Sequence, residues 1–141
     1  MNSNSCGELV AAAASTTVKK IVLTSSIVAI SEGNGFEKTF TEKDWTNLDD
    51  KKSLSCTGHV VFQVDFYPRS KTLAERAAWD FVRSQTGHHF SLTTINPSFI
   101  IIRRFLHNEM AAVPHMMIAC VDVRDVAKCH FEAMRSGQAY V

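Results

Sequence analysis

Lys19-Lys20-Ile21-Val22-Leu23-Thr24-Ser25-Ser26 decides how this chain folds. Ile21, Val22 and Leu23 make a short apolar run, rich in β-branched side chains and without the apolar–polar alternation of a half-solvated strand. Such a run fits a strand covered on both faces, as in a parallel sheet. Thr24, Ser25 and Ser26 then mark the passage from strand to loop with small hydroxyl side chains. On the N-terminal side, Gly7-Glu8-Leu9-Val10-Ala11-Ala12-Ala13-Ala14 favours helix, so a short helix is predicted within 6–16.

On the C-terminal side, 31–64 is polar and irregular, and a connection of that length is usually functional. Within it Thr41 and Asp44 have the spacing of a capped turn. A long helix is predicted over 68–86. Leu73, Ala77 and Phe81 recur every four residues, as do Ala74, Ala78 and Val82, with Pro68 in the first turn and Gly87 as the stop. A second strand is predicted over 90–95, broken by Asn96-Pro97, and a third over 116–123. A last helix is predicted over 125–136, with Val126, Ala127, Phe131 and Met134 on one face. Strands alternating with helices give an α/β fold with a mainly parallel sheet, and ligands in such sheets bind beyond the carboxyl ends of the strands. Ser25, Ser26 and Asn96 fall at such ends.

Composition narrows the function. The chain has 141 residues, of which 45% are hydrophobic, enough for one domain with a core and too apolar for whole-chain disorder. A net charge of +1 provides no electrostatic footprint for nucleic acid or an anionic membrane. The longest apolar run, 116–121, is too short for a membrane span, and no secretory leader opens the chain. Cys6, Cys56, Cys120 and Cys129 form no CxxC pair and read as reduced thiols of a cytoplasmic protein. His59, His88, His89, His107, His115 and His130 form no metal-ligand pattern, so no metal is expected. His130 reads as a packed or capping histidine, Arg103-Arg104 as a solvated pair, and Trp45 and Trp79 as packing aromatics.

The candidate chemistry lies at the mouth of the long helix. Tyr67 and Lys71 are four residues apart, which places both side chains on one helical face. An ammonium held beside a phenol favours the phenolate, and a phenol so tuned can pass a proton to or from a substrate oxygen. A serine hydroxyl near the same oxygen can donate a hydrogen bond to it. Ser26 could reach that point if its strand neighbours the helix.

Four segments in order resemble one family. Val18-Lys19-Lys20-Ile21-Val22-Leu23-Thr24-Ser25-Ser26 resembles the strand-and-serine segment of extended short-chain dehydrogenase/reductases. Tyr67-Pro68-Arg69-Ser70-Lys71-Thr72-Leu73-Ala74-Glu75 resembles their Tyr-x-x-x-Lys helix. Ile95-Asn96-Pro97-Ser98-Phe99-Ile100-Ile101 resembles the following strand and turn, and Val121-Asp122-Val123-Arg124-Asp125-Val126-Ala127 a segment further downstream. The nearest branch is the dihydroflavonol-4-reductase-like group of the NAD-dependent epimerase/dehydratase family.

The resemblance implies an oxidoreductase using NADP or NAD, with NADP favoured by the branch, on the carbonyl or alcohol group of a small molecule. Tyr67 would be the acid/base. Lys71 would tune it and hold the nicotinamide ribose, and Ser26 would polarise the carbonyl. Ser25 and Pro97 would line the cofactor. The resemblance also implies a single, partial Rossmann-like domain over 1–141 that lacks the N-terminal glycine-rich βαβ unit. None of Gly7, Gly33, Gly35, Gly58, Gly87 and Gly137 gives the dinucleotide-binding spacing after a strand. The Gly-Pro that follows the Asn-Pro turn in the family is missing, which points to an internal deletion near 102/103. Two alternatives share these residues. One is a non-catalytic form that associates with a partner or with itself through an exposed sheet edge. The other is a nucleotide-sugar epimerase or dehydratase.

Overall fold

The computed structural model describes residues 3–15, 17–33, 38–49, 66–85, 90–100 and 119–136. In chain order they form α1 (Ser3–Ala14), β1 (Lys20–Thr24), a 3₁₀ turn (Ile27–Ala29), α2 (Phe66–Ser84), β2 (Ser91–Ile95) and α3 (Val123–Arg135). β1 and β2 run parallel, in register from Lys20 against Ser91 to Thr24 against Ile95. Parallel neighbours need a long crossover, and α2 lies within it. The ladder continues past the strand ends: the Ser25 N–H donates to the Ile95 carbonyl at 2.8 Å and the Ile27 N–H to the Pro97 carbonyl at 3.0 Å. The fold is therefore α/β, with a parallel strand pair and flanking helices, as the alternation of elements predicts.

Strand alternation assigns the two faces. Ile21, Leu23 and Leu92 point to one side and pack with Leu9 of α1, Ala78 and Val82 of α2, and Phe90. The opposite side receives α3, whose end is tied down where the Lys20 ammonium donates to the Ser136 carbonyl. Ile21, Val22 and Leu23 are half-buried rather than fully covered. Helices cover the faces of β1, but among the described residues β2 is the only strand that pairs with it.

Three expectations shift. α2 begins at Phe66, two residues early, and its buried side chains are Pro68, Thr72, Glu75, Ala78 and Val82. Leu73, part of the predicted stripe, is 40% exposed. The inward face is thus rotated toward polar residues that have partners inside. On α3, Ala133 is buried and Val126 and His130 are half-buried, whereas Phe131 and Met134 face solvent. This helix docks through His130, and that sets which face turns inward. Of the third predicted strand, 119–122 is described and forms a single parallel bridge, Phe99 to Cys120. Arg103-Arg104, His88, His89, His107, His115, Cys56, His59 and the 102/103 junction lie outside the described residues. The Thr41–Asp44 pair does close a turn: the Asp44 carboxylate accepts from the Thr41 N–H at 2.8 Å and the Asp44 N–H donates to the Thr41 carbonyl at 3.0 Å.

α3 starts at Val123 because Asp122 caps it. The Asp122 carboxylate accepts from the Arg124 N–H at 2.8 Å and from the Arg124 guanidinium at 3.0 and 2.6 Å. The guanidinium contact, followed by the backbone one, lowers the Asp122 pKa from 3.8 to about 2. A folded pKa below the unfolded one stabilises above the unfolded value and ceases to as pH falls through the folded value. Asp122→Ala is therefore expected to lower Tm at neutral pH. The gap to the parent should close between pH 3.8 and about 2, a window that thermal melts across pH would reveal.

Candidate active site

The site residues gather where β1 and β2 end and α2 begins, the position at which open α/β sheets bind ligands. β1 delivers Ser25 and Ser26, β2 delivers Asn96 and Pro97, and α2 delivers Tyr67, Lys71 and Glu75.

Tyr67 and Lys71 do share a face. The Lys71 ammonium lies 5.9 Å from the centre of the Tyr67 ring, within cation–π range. Tyr67 is 53% exposed, so its ring is open to a ligand as well as to water. Ser70 turns its hydroxyl back to the Tyr67 carbonyl at 2.8 Å and Thr72 turns its own to the Pro68 carbonyl at 2.7 Å. Both bonds brace the first turn of α2 without using the phenol or the ammonium.

Ser26 is buried and caps the 3₁₀ turn, its hydroxyl oxygen accepting from the Val28 N–H at 3.5 Å. That bond uses a lone pair and leaves the hydroxyl proton for another acceptor. Among the described residues no hydrogen bond joins Ser26 to Tyr67 or Lys71. Instead, the structure links their elements through the backbone and two side chains, the buried Glu75 and the half-buried Asn96. The Ser25 hydroxyl is buried without a hydrogen-bond partner among the described residues. Pro97 is half-buried, and its carbonyl holds the Ile27 N–H beside Ser26.

Sequence patterning overlooks the polar floor of the site. Glu75 is only 6% exposed, although a glutamate in an amphipathic helix ordinarily faces water. Its carboxylate accepts from the Asn96 side-chain amide at 2.8 Å, and the same amide donates to the Ser26 carbonyl at 3.2 Å. The available signal is spacing: Tyr67, Lys71 and Glu75 succeed one another at four-residue steps along one flank of α2. On the other side of the sheet, His130 clasps the end of β1. Its Nδ1 lies 2.8 Å from the Val126 carbonyl, which can only accept, so Nδ1 carries the proton. Nε2 then accepts from the Thr24 hydroxyl at 2.7 Å. The expected packing role of His130 is met. No group of three or more metal-ligating side chains occurs among the described residues.

No protein-family model matches the chain. Curated proteins do. The chain is 32% identical over 152 residues to cinnamoyl-CoA reductase of Medicago truncatula, spanning 96% of this chain and 41% of that protein. It is 30% identical over 122 residues to dihydroflavonol 4-reductase of Arabidopsis thaliana, spanning 86% of this chain and 28% of that one. It is 29% identical to the NADPH-dependent methylglyoxal reductase of Saccharomyces cerevisiae, spanning 86% and 41%. Among solved structures, Gre2 of Candida albicans in complex with NADPH superposes with a TM-score of 0.62 at 33% identity, over 86% of this chain and 41% of that one. The chain thus spans at most about two fifths of the length of these relatives.

Proposed function

Since the chain belongs to the dihydroflavonol-4-reductase-like branch of the extended short-chain dehydrogenase/reductases, we propose that it reduces the carbonyl group of a small organic molecule with NADPH. The observation that carries this reading is the Tyr67–Lys71 pair on an open face of α2, beside the strand ends that bear Ser26 and Pro97.

The described residues fit one end of the cofactor. In this proposal Lys71, Tyr67 and Pro97 would hold the nicotinamide ribose and ring. The N-terminus of α3 does not suit the pyrophosphate end, since it opens on the Asp122 carboxylate, which repels phosphate. NADPH, when bound beside these residues, would supply the hydride for the carbonyl carbon. The remaining work falls to this chain. Tyr67 donates its phenolic proton to the carbonyl oxygen as charge develops there. Lys71 holds a positive charge beside the ring and steadies the phenolate left behind. Ser26 donates a hydrogen bond to the same oxygen. The lone pair that the Ser26 oxygen gives to Val28 orients its hydroxyl without consuming that proton.

NADPH is favoured over NADH by the cofactor of the yeast relative and of the Candida structure. A cytoplasmic location and a single partial Rossmann-like domain over 1–141 belong to the same proposal; no described helix is long and apolar enough to cross a membrane. The deciding experiment is a fluorescence titration of the full chain with NADPH. Saturable binding is expected, and its absence at millimolar cofactor would sink the proposal.

A second reading rests on β1. Its second edge, toward which Val22 turns its backbone N–H and C=O, pairs with no strand among the described residues, which favours pairing with another chain. Sedimentation separates the two, because a monomer that turns over methylglyoxal eliminates the association reading.

A further inference from the structure

We propose that Glu75 and Asn96 are a positioning pair, a latch between a buried carboxylate and a half-buried amide that sets the Ser26 hydroxyl at working distance from the Tyr67–Lys71 face. This deepens the reductase reading and rests on it for its kinetic consequence. The latch itself stands on geometry alone.

Three elements must agree for Ser26 to share a substrate oxygen with Tyr67. α2 carries Tyr67 and Lys71, the end of β1 carries Ser26, and the end of β2 carries Asn96. Asn96 joins all three with one amide group. Its Nδ2 has two hydrogens: one goes to the Glu75 carboxylate at 2.8 Å, the other to the Ser26 carbonyl at 3.2 Å. Both donors are thereby used, and neither acceptor could be served from the solvent side, since Glu75 is 6% and Ser26 8% exposed. A buried carboxylate is costly unless it is hydrogen-bonded, so its presence on the inward face of α2 needs a reason that packing does not supply. Leucine would fill that space at lower cost. That reason is register. α2 can slide or roll on the sheet when held by Ala78 and Val82 alone, because apolar contacts are non-directional. A charge-assisted hydrogen bond is directional and stops that motion.

One further bond completes the frame. The Ile27 N–H donates to the Pro97 carbonyl at 3.0 Å, immediately after the two residues that the latch joins. Breaking the Glu75–Asn96 bond frees the amide to rotate away from Ser26, and the turn that Ser26 caps then loses one of its tethers. Misplacement of a catalytic hydroxyl by about 1 Å can cost as much as about 100-fold in rate.

The test compares Glu75→Gln, Glu75→Leu and Asn96→Ala in the full chain. Gln keeps an oxygen that accepts from Asn96; Leu keeps the volume and removes the acceptor. In Glu75→Leu and Asn96→Ala, amide exchange at Ile27 and Val28 should speed up about tenfold or more while Leu23, inside the ladder, stays unchanged. A merely structural loss would move all three together. Turnover of methylglyoxal should fall by about tenfold or more in kcat, with KM for it held within about twofold, and Glu75→Gln should restore both readouts. Unchanged exchange at Ile27 in both variants, or equal acceleration at Leu23, overturns the latch. Glu75→Gln failing as badly as Glu75→Leu overturns it too. If the parent chain itself neither binds NADPH nor turns over, the reductase reading fails and the exchange comparison still decides the latch.

Discussion

Tyr67→Phe is expected to abolish carbonyl reduction while leaving the fold intact. The substitution removes one oxygen and one proton. The ring stays, so the Lys71 ammonium keeps its place 5.9 Å from the ring centre. At 53% exposure the ring contributes little to the core, so Tm should not move. What is lost is the phenolic proton that the proposed mechanism delivers to the substrate oxygen. General acid catalysis is worth about 100- to 10,000-fold, or roughly 3–5 kcal/mol of barrier. The variant should therefore lose at least about two orders of magnitude in kcat with methylglyoxal, while a fluorescence titration still reports NADPH binding of similar affinity. A kcat within about threefold of the parent removes Tyr67 from the acid role.

The elements that depend on local pattern were readable. The β-branched run at Ile21-Val22-Leu23 is a strand, the four-residue recurrence after Pro68 is a helix, and the Asn-Pro break closes the second strand where it should. The spacing of Tyr67 and Lys71 also translates directly, because two positions four apart on a helix must meet. Legibility ends where a side chain departs from the average for its type. Glu75 and Thr72 lie inside because each has a partner there, Asn96 and the Pro68 carbonyl respectively, and no hydropathy pattern carries partners. Phe131 and Met134 lie outside for the converse reason: α3 is anchored by a polar bond, His130 to Thr24, and its apolar positions follow from that anchor rather than direct it. Ser26 is intermediate. Its place at a strand end is visible in the sequence, but its depth is not. That depth is set by Thr46, 18 residues along the chain from Val28, whose hydroxyl donates to the Val28 carbonyl at 2.6 Å.

Gly33→Ala is expected to damage stability most among single surface-loop changes, and through stability to unseat Ser26. Gly33 has φ of +79°, in the region L side chains avoid. For alanine that conformation alone costs roughly 1–2 kcal/mol. The larger effect is steric. A Cβ at this position would lie 2.4 Å from the Asn47 carbonyl oxygen and 2.9 Å from the Asn47 Cβ, and the first of these is backbone that has no rotamer by which to escape. Nor can the backbone move freely, because Asn47 and its neighbour are the rivets of the loop. The Asn47 N–H donates to the Glu32 carbonyl at 2.9 Å and the Thr46 N–H to the Ala29 carbonyl at 2.9 Å. The Thr46 hydroxyl, 1% exposed with its residue, accepts from the Glu32 N–H at 3.0 Å and donates to Val28. Relief of the clash therefore breaks bonds to the 3₁₀ turn that Ser26 caps. Gly33→Asn separates the two causes, since asparagine tolerates a positive φ but carries the same Cβ. If the clash dominates, both variants lower the urea midpoint by similar amounts, and both accelerate amide exchange at Thr46 and Asn47. If asparagine restores the midpoint, the cost is conformational only and the loop has room to yield. A midpoint unchanged in Gly33→Ala would mean that the 38–49 segment is not riveted to the turn at all.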